Sequence, residues 1–388
     1  PSKKNTIFVF IMFNIPFDDG KSLIAKKFLF WLCFLLELSL SAQVFEWARV
    51  LNGSGSVISS AIATDASGNV YTTGEFSGAV DFDPGAGTVN RTSAGGVDIF
   101  IQKLDPSGNL IWARTIGSAG RQSSFSMTVD ASRNILIVGV FRGAVDFDPG
   151  PGVFMLNAGN DVIGFVLKMD ASGSFLWANT FDPVSFGGVG PRSIKTDLAG
   201  NIFISGGLHG SVSIPSGAGF FNLNSAGQSD IFVCKMDSVG NFIWAKSFGG
   251  TSNDVAYSLA VDSAGNVYTT GEFYGVVDFD PGSGSNIITS GGSSDIFVHK
   301  LDSSGNFVWV RAFGSSKNDR GHSITVDNSG NIITTGYFRS QGNFNPNGVT
   351  TSLSSAGLED AVVWKVDASG NLIWAKAVGG NLSDHGIS

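Results

Sequence analysis

One feature constrains this chain more than any other: a tryptophan that returns on a fixed period. The segments Glu46-Trp47-Ala-Arg49, Ile111-Trp112-Ala-Arg114, Leu176-Trp177-Ala-Asn179, Ile243-Trp244-Ala-Lys246, Val308-Trp309-Val-Arg311 and Ile373-Trp374-Ala-Lys376 are one motif, spaced 65, 65, 67, 65 and 65 residues apart. Self-similarity at a fixed period marks an array of like modules, and it decides the architecture before any local assignment does. Five full units lie between the first and last of these tryptophans.

Each unit carries four apolar runs. In the fourth unit they are Ser258–Asp262, Asn266–Phe273, Asp295–Asp302 and Asn306–Phe313, rich in β-branched and aromatic residues and without a helical period. Runs one and two, and runs three and four, are joined by Asp-x-x-Gly-Asn. This turn begins at Asp65, Asp105, Asp197, Asp237, Asp262, Asp302, Asp327 and Asp367, with altered copies at Asp130 (Arg133 for Gly) and Asp170 (Ser174 for Asn). Asp accepts bonds from turn amides, Gly takes the positive φ and Asn tolerates it, so each unit is expected to be a four-stranded antiparallel meander.

One meander leaves two faces open, and radial stacking buries them against each other. The expected fold is therefore all-β, a β-propeller of four-stranded blades. A solenoid rung is too short for four strands, and separate sandwiches need larger modules. The phase of the repeat adds partial units at both ends. The chain enters on a fourth strand around Trp47 and stops at Asp384–Ser388, aligned with Asp319–Ser323 where a first strand begins. On this reading the sequence is truncated.

Composition limits the function classes. Charged residues are 14% of the chain, while Phe numbers 32, Trp 8 and Gly 52, which describes a folded, turn-rich protein rather than a disordered one. A net charge of −8 without a basic run argues against nucleic acid as a partner. Lys26-Lys27, the apolar stretch Phe28–Leu40 and the exit Ser41-Ala42-Gln43 read as a secretory signal peptide, too short for an ordinary membrane span. The expected organisation is thus 1–42, extension and signal peptide, and 43–388, repeat domain. Cys33 leaves with the signal, so Cys234 has no partner for an internal disulfide.

The Asp-x-Ser-Gly-Asn-x-x-Trp hairpins, with the Gly-Glu-Phe and Asp-Phe-Asp-Pro-Gly segments, resemble the SBBP (seven-bladed β-propeller) repeat family of exported bacterial proteins, over residues 44–388. The stretch Lys103–Trp112 is also similar to the tryptophan-docking motif of quinoprotein dehydrogenase propellers. The first resemblance implies a propeller and export. The second would imply a quinone-dependent enzyme.

Between runs two and three lies Asp-Phe-Asp-Pro-Gly, at Asp81–Gly85, Asp146–Gly150 and Asp278–Gly282. Asp81 with Asp83, Asp146 with Asp148, and Asp278 with Asp280 point to one side of an extended chain and can offer oxygens to Ca²⁺, the one cofactor candidate. The competing reading is preferred: Phe packs into the unit while Asp and Pro-Gly shape a turn. Units three (Val212–Gly217) and five (Asn343–Gly348) lack the carboxylates. The tryptophans are read as docking residues, and Lys103, Lys168, Lys235, Lys300 and Lys365, at one repeat position, as outer-strand charges or ion-pair partners. His209, His299, His322 and His385 occupy no common repeat position and no metal spacing. Inner strands such as Ser126-Met-Thr-Val129 and Ser258-Leu-Ala-Val261 read as small and uncharged. No catalytic residues are assigned. The expected function is a secreted or cell-surface, non-catalytic binding scaffold for an extracellular protein or glycan, without a membrane span once the signal is removed. Its binding face would be built by the loops between runs two and three and between units. The rival is a carbohydrate-active or quinone-dependent propeller enzyme.

Overall fold

The Asp hairpins close as the sequence demands. In the computed structural model, which describes residues 46–181, 187–217, 219–345 and 348–388, Asp65 Oδ1 accepts the N–H groups of Ser67 and Asn69 at 2.9 and 3.0 Å, and its Oδ2 accepts Asn69 Nδ2 at 2.8 Å. Asp105, Asp237, Asp302 and Asp367 repeat the set. The N–H of Asn109 holds the Asp105 carboxyl below its usual range, and Asn371 does the same for Asp367. Arg133 takes the turn's left-handed position with φ 66°, which costs a side chain about 1 kcal/mol relative to Gly. Residues 1–42, read above as extension and signal peptide, lie outside the described residues, as does Cys33.

Between these turns run five antiparallel four-stranded meanders. Unit one comprises Ser56–Thr64, Val70–Ser77, Asp98–Leu104 and Leu110–Ile116. Unit two comprises Gln122–Val129, Ile135–Phe141, Ile163–Met169 and Phe175–Thr180. Unit three comprises Gly188–Thr196, Ile202–His209, Asp230–Met236 and Phe242–Phe248. Unit four comprises Val255–Val261, Val267–Asp278, Ile287–Leu301 and Phe307–Ser315. Unit five comprises Arg320–Val326, Ile332–Asn343, Ser352–Val366 and Leu372–Val378. The first strand of each unit lies beside the first strand of the next, and the fourth closes the meander on the far side of the third. No helix occurs among the described residues.

Between strands two and three each unit projects a β-ribbon, as with Ala79–Asp81 against Asn90–Thr92. The ribbon folds back on its own sheet through one buried apolar residue, Ile214 in unit three and a phenylalanine in the other four. Phe82, Phe147, Phe279 and Phe344 are fully buried, and they meet Phe76, Phe141, Phe273 and Phe338 edge-on at 5.3, 5.1, 5.2 and 5.0 Å between centroids.

Units are joined by the tryptophans. Trp47, Trp112, Trp244 and Trp309 donate Nε1–H to carbonyls in the next third-to-fourth-strand hairpin: Pro106 at 2.9, Ala171 at 3.3, Ser303 at 3.2 and Ala368 at 3.2 Å. The indole lies against the hairpin Gly, so a Cβ on Gly305 would sit 2.9 Å from the Trp244 ring and one on Gly240 3.2 Å from Trp177. The strand-three lysines reach the same hairpins, Lys103 to Ala171 O at 3.0 Å and Lys168 to Ser238 O at 3.0 Å. They are therefore inter-unit tethers rather than outer-strand charges, because strand three lies inside strand four. Lys168 does form an ion pair, with Asp130 at 3.1 Å. Nothing docks on unit five among the described residues. There Lys365 turns to Asp327 of its own unit at 2.8 Å, and Trp374 is 37% exposed.

The end segments depart from expectation. Residues 46–51 and 379–388 hold no strand. A fourth strand ladders onto the third strand of its own unit, and no such strand lies beside Trp47 among the described residues. Both segments still make the repeat's docking contacts: Arg49 Nε–H bonds Gly108 O at 2.8 Å, and Asp384 N–H bonds Glu359 O at 2.7 Å.

Replacing a docked indole leaves a cavity and an unpaired carbonyl. Trp309→Ala should therefore destabilise the protein by about 3–5 kcal/mol in denaturant unfolding, whereas Trp374→Ala should cost less than about 1 kcal/mol.

Candidate functional site

The six aspartates read as calcium candidates stand at the ribbon tips, each bonded to the amides of its own turn. Asp81 Oδ1 accepts N–H from Asp83 and Val89 at 3.0 and 2.8 Å, and Asp83 Oδ1 accepts Gly85 N–H at 2.8 Å. Asp146 binds the amides of Asp148 and Phe154 at 3.1 and 2.8 Å, and Asp148 that of Gly150 at 2.7 Å. Asp278 binds the amides of Asp280 and Asn286 at 3.1 and 2.7 Å, and Asp280 that of Gly282 at 2.8 Å. The Asp83 amide holds the Asp81 carboxyl below its usual range. In unit five the uncharged Asn343 Oδ1 takes the same two bonds, from Asn345 and Thr351 at 3.0 and 3.2 Å. The turn thus needs an acceptor, not a charge. Among the described residues no three His, Cys, Asp or Glu side chains gather for a metal ion.

The ribbon also explains one histidine. Gln102 Nε2 donates to Phe82 O at 2.7 Å, and Trp364 Nε1 donates to Phe344 O at 2.9 Å. His299 Nε2 lies 2.9 Å from Phe279 O in the equivalent place, so its Nε2 carries the proton. Burial pushes its pKa down to about 3.

A better candidate for recognition lies on the inner strands. Every first strand has a β-bulge, and the bulged residues are Ser60, Phe125, Arg192, Tyr257 and His322. A bulge leaves its residue outside the ladder and re-aims the side chain. Around it the framework repeats. Ser126, Ser193 and Ser258 follow the bulges, and their hydroxyls accept the N–H of Ile194, Leu259 and Ile324 in the next unit at 3.3, 3.2 and 3.3 Å. The bulged residues do not repeat, and two successive pairs touch. The Arg192 guanidinium lies 4.8 Å from the Phe125 centroid, and the Tyr257 and His322 rings are 6.2 Å apart. Arg320 clamps Glu272 at 2.8 and 3.0 Å while lying over Tyr257 and Tyr337, and Tyr337 stacks on His385 at 4.4 Å. Burial, with Arg320 beside it, lowers the His322 pKa to about 4.

This corrects the expectation of small, uncharged inner strands. Serine is small there because it serves the neighbour's amide, and the chemistry sits one residue earlier. The sequence signal was a position five residues ahead of the hairpin Asp whose occupants differ between units. At the opposite end of the first strands, a cavity of about 640 Å³ is bordered by Asp65, Asp130, Arg133, Asp197 and Asp262.

With this geometry in place, known proteins can be compared. Residues 243–272 match the SBBP beta-propeller repeat. That SBBP stretch runs from the Trp244 strand through the Tyr257 bulge to Glu272, so it spans one docking residue and one bulge. The chain is 26% identical over 294 residues to an uncharacterized WD repeat-containing protein of Acanthamoeba polyphaga mimivirus, covering 72% of this chain and 17% of the relative. It is 28% identical over 114 residues to the regulatory protein FlaEY of Caulobacter vibrioides, covering 29% of this chain and 12% of that protein. It thus spans less than a fifth of the length of either curated relative. A solved protein of unknown function from Bacteroides caccae aligns over 85% of this chain and 86% of its own, with a TM-score of 0.37 and 10% identity.

Two substitutions test these assignments. Asp278→Asn should leave the melting temperature unchanged, with or without millimolar Ca²⁺, because Asn343 already does this work. His299→Gln, copying Gln102, should remove an acid sensitivity. A folded pKa near 3 against 6.5 unfolded means stability is full above pH 6.5 and lost as pH falls toward 3, so the variant's melting temperature should drop less over that range.

Proposed function

We propose that this repeat domain closes as a β-propeller and serves as an exported, non-catalytic binding module for an extracellular glycan or protein, with the bulged inner-strand residues as its recognition site. One observation carries the reading. In a framework whose turns, docking residues and buried rings recur from unit to unit, the position re-aimed by a bulge holds Ser60, Phe125, Arg192, Tyr257 and His322 in turn. Structural positions in an array are held alike by like surroundings, and recognition needs unlike groups. Aromatic faces beside cations suit sugar rings and acidic groups. Arg192 is exposed and has no carboxylate partner among the described residues. The apolar stretch Phe28–Leu40 after Lys26-Lys27 supports export. Among the described residues no helix is long and apolar enough to cross a membrane.

Screening the full chain on a glycan array and against extracellular protein extracts should yield a ligand. Arg192→Ala and Tyr257→Ala should each weaken it at least about tenfold, with the melting temperature shifted little for Arg192→Ala. A ligand whose affinity is untouched by both substitutions would move recognition to the ribbons.

A further inference from the structure

Four buried aspartates are left over by everything above. Asp98 and Asp230 open the third strand in units one and three, Asp295 and Asp360 stand at the equivalent position within it in units four and five, and they are 3, 2, 7 and 3% exposed. Each Oδ2 accepts one N–H, from Ala94, Ala226, Gly291 or Ala356, at 2.7, 2.9, 2.9 and 3.0 Å. Each Oδ1 is buried without a partner. A buried acceptor left unpaired costs free energy, and here the same orphan recurs in four units.

The residue facing each orphan lies where the chain enters the next first strand. Gln122, Asp254, Asp319 and Asp384 donate their backbone N–H to the residue just before each aspartate: Val97 O at 2.8, Ser229 O at 2.7, Ser294 O at 3.0 and Glu359 O at 2.7 Å. Their side chains hold the loop. Asp254 accepts the amides of Gly250 at 2.7 and Tyr274 at 2.9 Å, and Asp319 accepts those of Ser315 and Arg339. The point where a Cβ on Gly314 would stand is 2.6 Å from Asp319 Oδ2 and 2.7 Å from Asp295 Oδ1, so the two carboxylates converge there.

Units differ at these two positions together. Asp faces Asp in units three, four and five, Asp98 faces Gln122 in unit one, and in unit two the positions hold Ile163 and Val189, both buried. A pair is polar on both sides or apolar on both.

We propose that Asp230 with Asp254, and Asp295 with Asp319, each share a single proton in a carboxyl-to-carboxylate hydrogen bond that latches the loop between units. The orphan Oδ1–H is the donor, and the loop carboxylate is the acceptor. A cation fits poorly, since Ca²⁺ takes six or more oxygens, and the loop carboxylates are already spent on N–H groups. Two charges in so dry a place would repel, and one proton removes the conflict. Burial, with the facing aspartate adding to it, pushes the pKa of Asp254 and of Asp319 up to about 6, and burial also raises Asp230 and Asp295. The other charged groups facing the pairs are Glu272, which Arg320 and Tyr257 hold, and Arg339, whose guanidinium points to Glu359 at 3.9 Å. Asp384 is exposed, so the third pair is open to water.

A folded pKa near 6 against 3.8 unfolded means folding takes up a proton. The stabilisation is full below pH 3.8 and is lost as pH rises through about 6, opposite in sign to His299. The full chain carrying His299→Gln and His322→Phe, the latter copied from Phe125 at the same repeat position, is the reference, because both histidines lose stability as pH falls and would oppose the effect. Its melting temperature should fall by several degrees between about pH 4.5 and pH 7.5. Adding Asp230→Asn and Asp295→Asn, which give each pair a fixed amide donor, should abolish most of that fall. Difference infrared spectra of the reference should show a protonated-carboxyl C=O band at about pH 5 that these substitutions remove. Should they impair folding, Asp295→Ile with Asp319→Val, copied from unit two, should reduce the fall and the band by the share of one pair. An unchanged pH slope in every variant that folds would overturn the shared proton. So would a melting temperature raised by millimolar Ca²⁺ at about pH 7.5 and restored by EDTA, which would assign the pairs to a cation.

Discussion

The structure depends on an indole lying against a glycine. The hairpin Gly must have positive φ to close its turn, and because it lacks a Cβ the neighbouring Trp can lie flat on it and reach a carbonyl. One residue thus satisfies a local backbone constraint and makes the docking surface for the next unit. Substituting Gly305 would strain the turn, with φ +80°, and collide with Trp244 at the same time. The lysines of strand three add charge-assisted bonds to the same carbonyls, and the arginines beside the tryptophans bond the next two carbonyls of the hairpin. These hairpin bonds add direction to apolar clusters that span adjacent units, such as Ile101 and Trp112 of unit one with Met127, Ile137 and Phe165 of unit two.

Much of this was legible from the sequence because period and turn chemistry are local. The Trp spacing gave the unit, and Asp-x-x-Gly-Asn gave two hairpins in each. Phe82 and its equivalents could be placed in the core from alternation alone. The bulges were not legible. A bulge depends on which residue is left out of a ladder, and the run Phe125-Ser-Met-Thr reads as a plain strand until its partner Ile135–Phe141 is laid beside it. Nor were the paired aspartates. Asp295 and Asp319 are separated by a whole strand, and each alone resembles an ordinary turn or strand-start residue. Of the strand-three lysines, Lys168 and Lys365 form the ion pairs expected of them, but sequence order does not reveal that the next unit's hairpin covers Lys103, Lys168, Lys235 and Lys300.

Three kinds of position coexist in each unit. Trp and hairpin Asp keep their identity, and hairpin Gly and ribbon Phe change only at Arg133 and Ile214, because each is held by its own sheet or by the next. Where the packing is shared by two residues only, identity is exchanged in pairs, as Ile163 with Val189 replaces Asp with Asp. Where a side chain leaves the ladder, as at Arg192, nothing in the framework dictates it. This hierarchy, from dictated through paired to free, separates structural from recognition residues within one chain.

The docking contact has a consequence for how such a gene changes length. The Trp that docks and the hairpin that receives it both lie within every 65-residue stretch, 59 residues apart in the bonds from Trp112 to Ala171 and from Trp309 to Ala368. An in-frame duplication of one period, begun at any point, therefore inserts a donor and an acceptor already matched to both flanks. A deletion of one period removes one of each and rejoins the remainder. Unequal recombination between repeats meets no surface that must be reinvented, so the number of units is the easiest property of this molecule to alter.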